Sequence, residues 1–304
     1  MLVLDREDVR KVLDRDALRQ ALAAGYVALS DGRGDVPVRT MTRTESGLLG
    51  TMPGYVAGIG LAAKLVSVFE DNARVGLPTH MAVVVLFDDD TGVPLALCDG
   101  EVITEMRTAG SAALACDLLA PADVSVLTVI GAGVQAAGHL EAFAALRPWS
   151  EIRLTNRTPE RAHQLARRHP EVQVVEDIDR AVHGADVVVC TTASPEPVFD
   201  PSSFTGRHVS SVGLHRELPG ELVSSGRVVV QTRAATTTPP PNGPAVVQGL
   251  EDVVELGRVV RDGLPPGDAH TVWVSVGNAM EDVVTARLAY DTALASGVGR
   301  TLDL

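Results

Sequence analysis

Cysteine, lysine and aromatic residues are scarce in this chain, and each shortage removes a class of function. The three cysteines, Cys98, Cys116 and Cys190, stand far apart with no CxxC pair and no histidine at ligand spacing, which argues against a disulfide framework and a structural zinc site. No metal is expected. Aromatics make up 3% of the 304 residues, too few for a base-stacking platform, and a net charge of −13 disfavours phosphate backbones and anionic lipid alike. Nucleic acid and membrane are therefore not expected partners. No apolar run approaches the ~18 residues of a membrane span, and Asp5, Asp8, Asp14 and Asp16 interrupt the first thirty residues where a secretory signal would be apolar. A soluble protein in a reducing cytoplasm is the expectation. Of 26 basic residues only Lys11 and Lys64 are lysine, and Lys64 sits inside the apolar stretch GIGLAAKLVSVF.

The rest of the chain is organised around residues 124–146, VSVLTVIGAGVQAAGHLEAFAAL, where an apolar run meets Gly131-Ala132-Gly133 and passes into an Ala-rich stretch of helical spacing. This predicts a strand, a glycine turn and a helix. Gly131 permits the turn, Gly133 lets a pyrophosphate approach the backbone, and Ala136 allows close helix–strand packing. The phosphates would lie on free N–H groups where the helix begins, at Val134 and Gln135. A second short strand, 151–154, leads to Asn156-Arg157-Thr158, 25 residues after Gly131, the place where the ribose is read. An NAD site usually has an acidic residue there, whereas a cation with hydroxyl and amide donors suits a 2′-phosphate. NADP(H) is thus expected over NAD(H), with NAD(H) still admissible. The competing reading makes Arg157 a solvated turn residue and 156–159 a cap for the helix 159–168.

In chain order, 7–29 has the spacing of one or two amphipathic helices, and 36–97 breaks into short apolar runs cut by Gly, Pro and Asp, which predicts an antiparallel sheet. Asp88-Asp89-Asp90-Thr91-Gly92 reads as a hairpin turn rather than a metal site. A helix over 101–119, with Thr104 near its start, precedes the glycine turn. Strands at 172–175, 186–190, 208–212 and 227–230 continue a βα alternation, which favours a parallel sheet. The proline-rich 236–244 reads as a loop, followed by a helix near Glu251, a strand over 271–276 and a last helix over 281–296.

The stretches LPTHMAVVVLFDDDTGVPLALCDGEVITEMRTAGSAALA, VIGAGVQAAGHLEAF and VSVGNAMEDVVTARLAYDTAL together resemble the ornithine cyclodeaminase / mu-crystallin family over nearly the whole chain. The resemblance implies an α/β protein in which a doubly wound, Rossmann-like dinucleotide-binding domain (117–277) is inserted into a smaller α/β dimerisation and substrate domain (1–116 with 278–304). It implies a homodimer, a nicotinamide dinucleotide, and a small amino-acid or cyclic imino-acid substrate. Residue by residue, Arg39 and Arg107 match the arginines that take the substrate carboxylate, and Lys64 matches the active-site lysine. Against these stand ordinary ion pairing for the arginines and a snorkelling strand-end position for the lysine. Thr108 is expected at the pyrophosphate, and Thr191, Thr192 and Ala193 along the cofactor. Val276 and Gly277 match a segment lining the nicotinamide pocket, and Val212 completes the implied cofactor set.

Two departures bear on the reaction. The cyclodeaminases carry an aspartate in a segment of the form GxDxPGKxEL; aligned without a gap on GLHRELPGEL (213–222), His215 falls on that aspartate. His215 is then either a replacement acid or a surface-loop histidine. The glutamate those enzymes place before a Met-Pro pair is also missing, because Gly50-Thr51 precede Met52-Pro53. Both carboxylates needed for cyclodeamination look absent. Net hydride transfer to an imine beside a carboxylate is the expected reaction, as in a ketimine reductase or amino-acid dehydrogenase. Ornithine cyclodeamination and a non-enzymatic, mu-crystallin-like ligand binder are the alternatives.

Overall fold

The computed structural model describes residues 1–213, 216–238 and 245–303. The chain divides into two compact units, Met1–Arg107 with Gly277–Leu304, and Thr108–Val276. The first division therefore falls inside the helix Gly100–Leu119, earlier than the boundary at 116 expected from sequence, and Gly277 belongs to the first unit.

The first unit is built on a sheet whose order is Arg300–Thr301, Leu2–Leu4, Pro94–Asp99, His80–Phe87, Gly60–Val68 and Leu48–Val56, with Gly34–Asp35 and Thr40–Arg43 both paired to the last of these. Every pairing is antiparallel except Leu2–Leu4 with Pro94–Asp99. Alternation sends Met52, Ala62, Lys64, Val84 and Cys98 to one face, where the apolar members are buried core. The helices Arg6–Val12, Arg15–Ser30 and Ala279–Ser296 supply the rest of that core through Val9, Leu18, Leu22, Val283 and Val284. The 88–92 turn is the expected hairpin connection: Asp88 accepts from the Thr91 amide and hydroxyl.

The second unit is an eight-stranded, wholly parallel sheet. Its order is Val172–Val174, Glu151–Thr155, Val126–Ile130, Val187–Cys190, His208–Ser211, Thr271–Val274, Arg227–Val230 and Val253–Glu255. Runs such as Val187-Val188-Val189-Cys190 are buried at every position, as expected of strands covered on both faces. The strand order reverses between Val126–Ile130 and Val187–Cys190, and the carboxyl ends of those two strands mark the place where a doubly wound sheet binds its ligand. Where the sequence suggests a helix near Glu251, the chain forms the edge strand Val253–Glu255 and only then the helix Leu256–Asp262. Three residues are too few for a periodic signal. In the segment read as a loop, Thr236 and Thr237 end the short helix Ala234–Thr237, and 239–244 lie outside the described residues. No helix among the described residues is long and apolar enough to cross a membrane.

Candidate functional site

In the second unit the glycine turn is built as its residue types demand. Gly131 has φ +125°, and a Cβ there would meet the Thr191 Oγ1 at 2.4 Å, so no other residue fits. Thr191 donates from its hydroxyl to the Ile130 carbonyl, locking the two strand ends together. Gly133 precedes the helix Val134–Leu146 without a side-chain cap, and a Cβ on it would meet nothing within 4 Å. Open space over uncapped N–H groups fits a pyrophosphate, with Val134 exposed and Gln135 half-buried at the helix start. The Gly131 amide donates to the Thr155 carbonyl, so Asn156-Arg157-Thr158 begins beside this turn. Asn156 donates to the Thr158 carbonyl, Thr158 makes no side-chain cap bond, and Arg157 is exposed. The capping alternative for 156–159 thus finds no side-chain bond to the helix start.

Sequence reasoning missed Glu217. Its buried carboxylate accepts from the Thr192 amide (2.8 Å) and hydroxyl (2.7 Å), the Ser211 hydroxyl (2.6 Å) and the Gly213 amide (2.9 Å). It ties together the ends of two central strands and fixes Thr192. Burial pushes its pKa up, and those four donors pull against that. The Val212 amide donates to the Cys190 carbonyl, Ala193 is exposed, Thr108 is buried, and the Val276 amide donates to the Gln231 side chain. His215 lies outside the described residues.

The first unit gathers Arg39, Lys64 and Arg107 around two carboxylates. Lys64 occupies an inward-facing position in mid-strand with 3% of its surface exposed, which rules out a snorkelling strand-end lysine. Its Nζ donates to Asp282 Oδ1 at 3.0 Å, lies 2.8 Å from Asp282 Oδ2 in an ion pair, and is 3.5 Å from the Thr104 hydroxyl. Burial brings its pKa down to about 8, against the raising effect of Asp282, while Arg107 and Arg39 lower it further. Arg107 donates from NH1 to Glu281 Oε2 at 2.7 Å, and its Nε lies 3.3 Å from Asp282 Oδ1. Burial alone would lower the Arg107 pKa, but Glu281 and Asp282 override it and hold it above its ordinary value. Arg39, lowered by burial and then by the charge of Arg107, donates to the Gly277 carbonyl at 2.7 Å.

Glu281 and Asp282 also escaped sequence reasoning. Asn278-x-x-Glu281 is a capping box: the Asn278 side chain accepts from the helix start, and the Glu281 carboxylate accepts from the Asn278 amide at 3.1 Å. The same carboxylate takes Arg107, and its other oxygen accepts from the Tyr26 hydroxyl. Two buried cations, Lys64 and Arg107, and the half-buried Arg39 thus face two buried carboxylates. The set can accept one further anionic group, such as a substrate carboxylate, without burying a net negative charge.

Against known proteins, the profile of the ornithine cyclodeaminase/mu-crystallin family matches residues 1–297. The chain belongs to that family. One family relative, the ketimine reductase mu-crystallin of Mus musculus, is 37% identical over 283 residues, which are 90% of each chain. A delta(1)-pyrroline-2-carboxylate reductase of Thermococcus litoralis, solved in complex with NADH and L-proline, superposes with a TM-score of 0.89 at 31% identity, covering 99% of this chain and 100% of that one. An archaeal alanine dehydrogenase dimer with bound NAD superposes with a TM-score of 0.88 at 27% identity, covering 100% and 99%. At these TM-scores this chain shares its α/β fold with both solved structures.

Proposed function

We propose that this chain is an oxidoreductase that uses a reduced nicotinamide dinucleotide to reduce the C=N bond of an imine bearing a carboxylate on the imine carbon. The observation that carries this reading is the buried Lys64 amine, with a pKa of about 8, in one cluster with Arg107 and Arg39. Two guanidiniums suffice to hold a carboxylate. An amine that titrates near neutrality adds a proton that can be given away, which a simple binder does not need. The substrate carboxylate takes N–H groups of Arg39 and Arg107, and this grip orients the imine. Lys64 Nζ then protonates the imine nitrogen, which makes the adjacent carbon electrophilic. A nicotinamide dinucleotide bound at the glycine turn would supply the hydride. The neutral Lys64 amine regains its proton from solvent between turnovers. The mouse ketimine reductase and the Thermococcus enzyme support this substrate class.

Imine reduction is favoured over cyclodeamination because Gly50-Thr51 bring no carboxylate to their strand; the Thr51 hydroxyl is instead bonded to that of Thr40. NADPH is the preferred cofactor in this reading, supported by the exposed Arg157 next to the glycine turn. The reading includes a homodimer, supported by an apolar outer sheet face on which Leu49, Tyr55, Met81 and Val83 are 37–43% exposed. The cytoplasm suits its three free, buried thiols. The test is a panel of cyclic imino acids, 2-oxo acids with amines, and ornithine, followed at the nicotinamide absorbance with products identified. Consumption of NADPH with an imino acid is the expected result. Proline and ammonia from ornithine without net change in the nicotinamide would sink it.

A further inference from the structure

We propose that Asp282 is the positioning residue that keeps Lys64 protonated and ties it to Arg107, so that the proton donor and the carboxylate clamp move as one body. The inference rests on the imine-reduction reading and deepens it. One carboxylate serves both cations: its oxygens lie 2.8 and 3.0 Å from Lys64 Nζ, and Oδ1 is also 3.3 Å from Arg107 Nε. Glu281 holds Arg107 from its NH1 and is itself fixed by Tyr26 and the Asn278 amide, which leaves Asp282 as the carboxylate bonded to the amine.

The charged surroundings of Lys64 can be followed element by element. The flanking strands Leu48–Val56 and His80–Phe87 place Met52 and Val84 opposite it, and Pro94–Asp99 puts Cys98 on the same face, a thiol pushed up to about 12 by burial and by Asp99. The helix Gly100–Leu119 brings Thr104 and Arg107, and Arg39 precedes Thr40–Arg43. The helix Ala279–Ser296 brings Glu281 and Asp282. Burial, Arg107 and Arg39 all favour the neutral amine, and the contribution that resists them comes from Asp282. A neutral Lys64 cannot protonate an imine at pH 7.

Because Lys11 and Lys64 are the only lysines, full-length protein carrying 13C-labelled lysine ε-carbons gives two lysine resonances, and exposed Lys11 serves as the reference. The Lys64 resonance of the native protein should titrate with a midpoint near 8. In Asp282→Asn the midpoint should fall by at least about one unit, equivalent to tenfold in the protonation equilibrium. Imine reduction needs the ammonium, so its alkaline limb should move down in pH by the same amount, with turnover lost at pH 8 and recovered near pH 6 as an order-of-magnitude expectation. Amine oxidation needs the free amine, so its rising limb should move the same way. Asp282→Glu keeps the charge and should restore most of the midpoint and both limbs. A native Lys64 midpoint at or above about 10 overturns the proposal without any variant. So does a folded Asp282→Asn protein whose midpoint is unchanged. If no imine is reduced but the midpoint moves as stated, the imine-reduction reading falls and the assignment of Asp282 stands.

Discussion

Arg39 donates to the carbonyl oxygen of Gly277 at 2.7 Å across 238 residues of sequence, and the same glycine lies against Arg107. Gly277 has φ +74°, and a Cβ on it would come within 3.1 Å of Arg107 NH2 and 3.4 Å of Arg39 NH2. Gly277→Ala should therefore strain the backbone by ~1–2 kcal/mol and press on both guanidiniums. The expected outcome is a KM for the imino acid raised about tenfold with a smaller change in kcat, since the clamp is displaced and the amine is not. Steady-state kinetics at saturating nicotinamide check it. An unchanged KM in a folded variant would separate Gly277 from the clamp.

Lys64→Met removes the proton donor and keeps most of the side-chain volume. Asp282 is then left with Arg107 at 3.3 Å as its charge partner, so the carboxylate is not abandoned in the core. Turnover should fall by about 10²–10⁴, the range associated with a general acid, while the dissociation constant for NADPH stays within about threefold. Loss of nicotinamide binding in the same variant would mean that the substitution had disturbed more than the donor.

How far the sequence could be read depended on whether a residue's local context had an ordinary explanation. Lys64 stood out because one of only two lysines fell inside an apolar run, where a snorkelling strand-end position was the one ordinary account, and Gly131 because its spacing implied a turn that only glycine makes. Glu281 and Asp282 were hidden by a sufficient local account, since acidic residues in the first turn of a capped helix need no further cause. Their partners lie 174 and 218 residues away, and only tertiary packing brings them together. Glu217 was hidden differently. An ungapped pattern drew attention to His215, which lies outside the described residues, while the residue bonded to the strand ends is the glutamate two positions on. The parallel sheet was legible from continuous valine runs, whereas the edge strands Leu2–Leu4 and Val253–Glu255 were too short to carry a period.

Glu217→Gln tests that anchor. Each carboxylate oxygen accepts from one backbone N–H and one hydroxyl, so an amide must point its own NH₂ at either Thr192 N or Gly213 N and leave that donor unpaired. A buried unsatisfied donor costs ~1–3 kcal/mol. Thermal unfolding should drop by several degrees, and nicotinamide binding should weaken about three- to tenfold because Thr192 loses its support. Calorimetry with a binding titration reads both. A variant with native unfolding temperature and native affinity would contradict the role.

The outer sheet face predicts how the proposed dimer would break. In the register Leu49–Ser67–Met81 and Thr51–Leu65–Val83, the exposed Leu49, Met81 and Val83 share one side, opposite Lys64 and Val84. Val83→Asp with Met81→Asp buries two carboxylates if the faces pair and costs nothing comparable if they are solvated. Sedimentation should give dimers for the native chain at micromolar concentration and monomers for the double variant. A native chain that sediments only as a monomer would end the dimer proposal.

The cofactor prediction turns on one exposed side chain. Arg157 lies two residues past the strand Glu151–Thr155, whose last carbonyl accepts from Gly131 N in the turn that would cradle the pyrophosphate, and it is exposed. Asn156 is spent on the Thr158 carbonyl, which braces the segment and leaves the arginine as the charged group available for a 2′-phosphate. A charge-assisted bond of this kind contributes ~1.5–3 kcal/mol, so NADPH should bind at least about tenfold more tightly than NADH. Arg157→Ala should lose most of that preference by weakening NADPH and leaving NADH nearly unchanged, because only the phosphate contact is removed. The preference should also shrink as salt is raised, since the pair is exposed. Fluorescence titration of both nucleotides into native and variant protein measures all three effects, and equal dissociation constants in the native chain would remove Arg157 from the cofactor site.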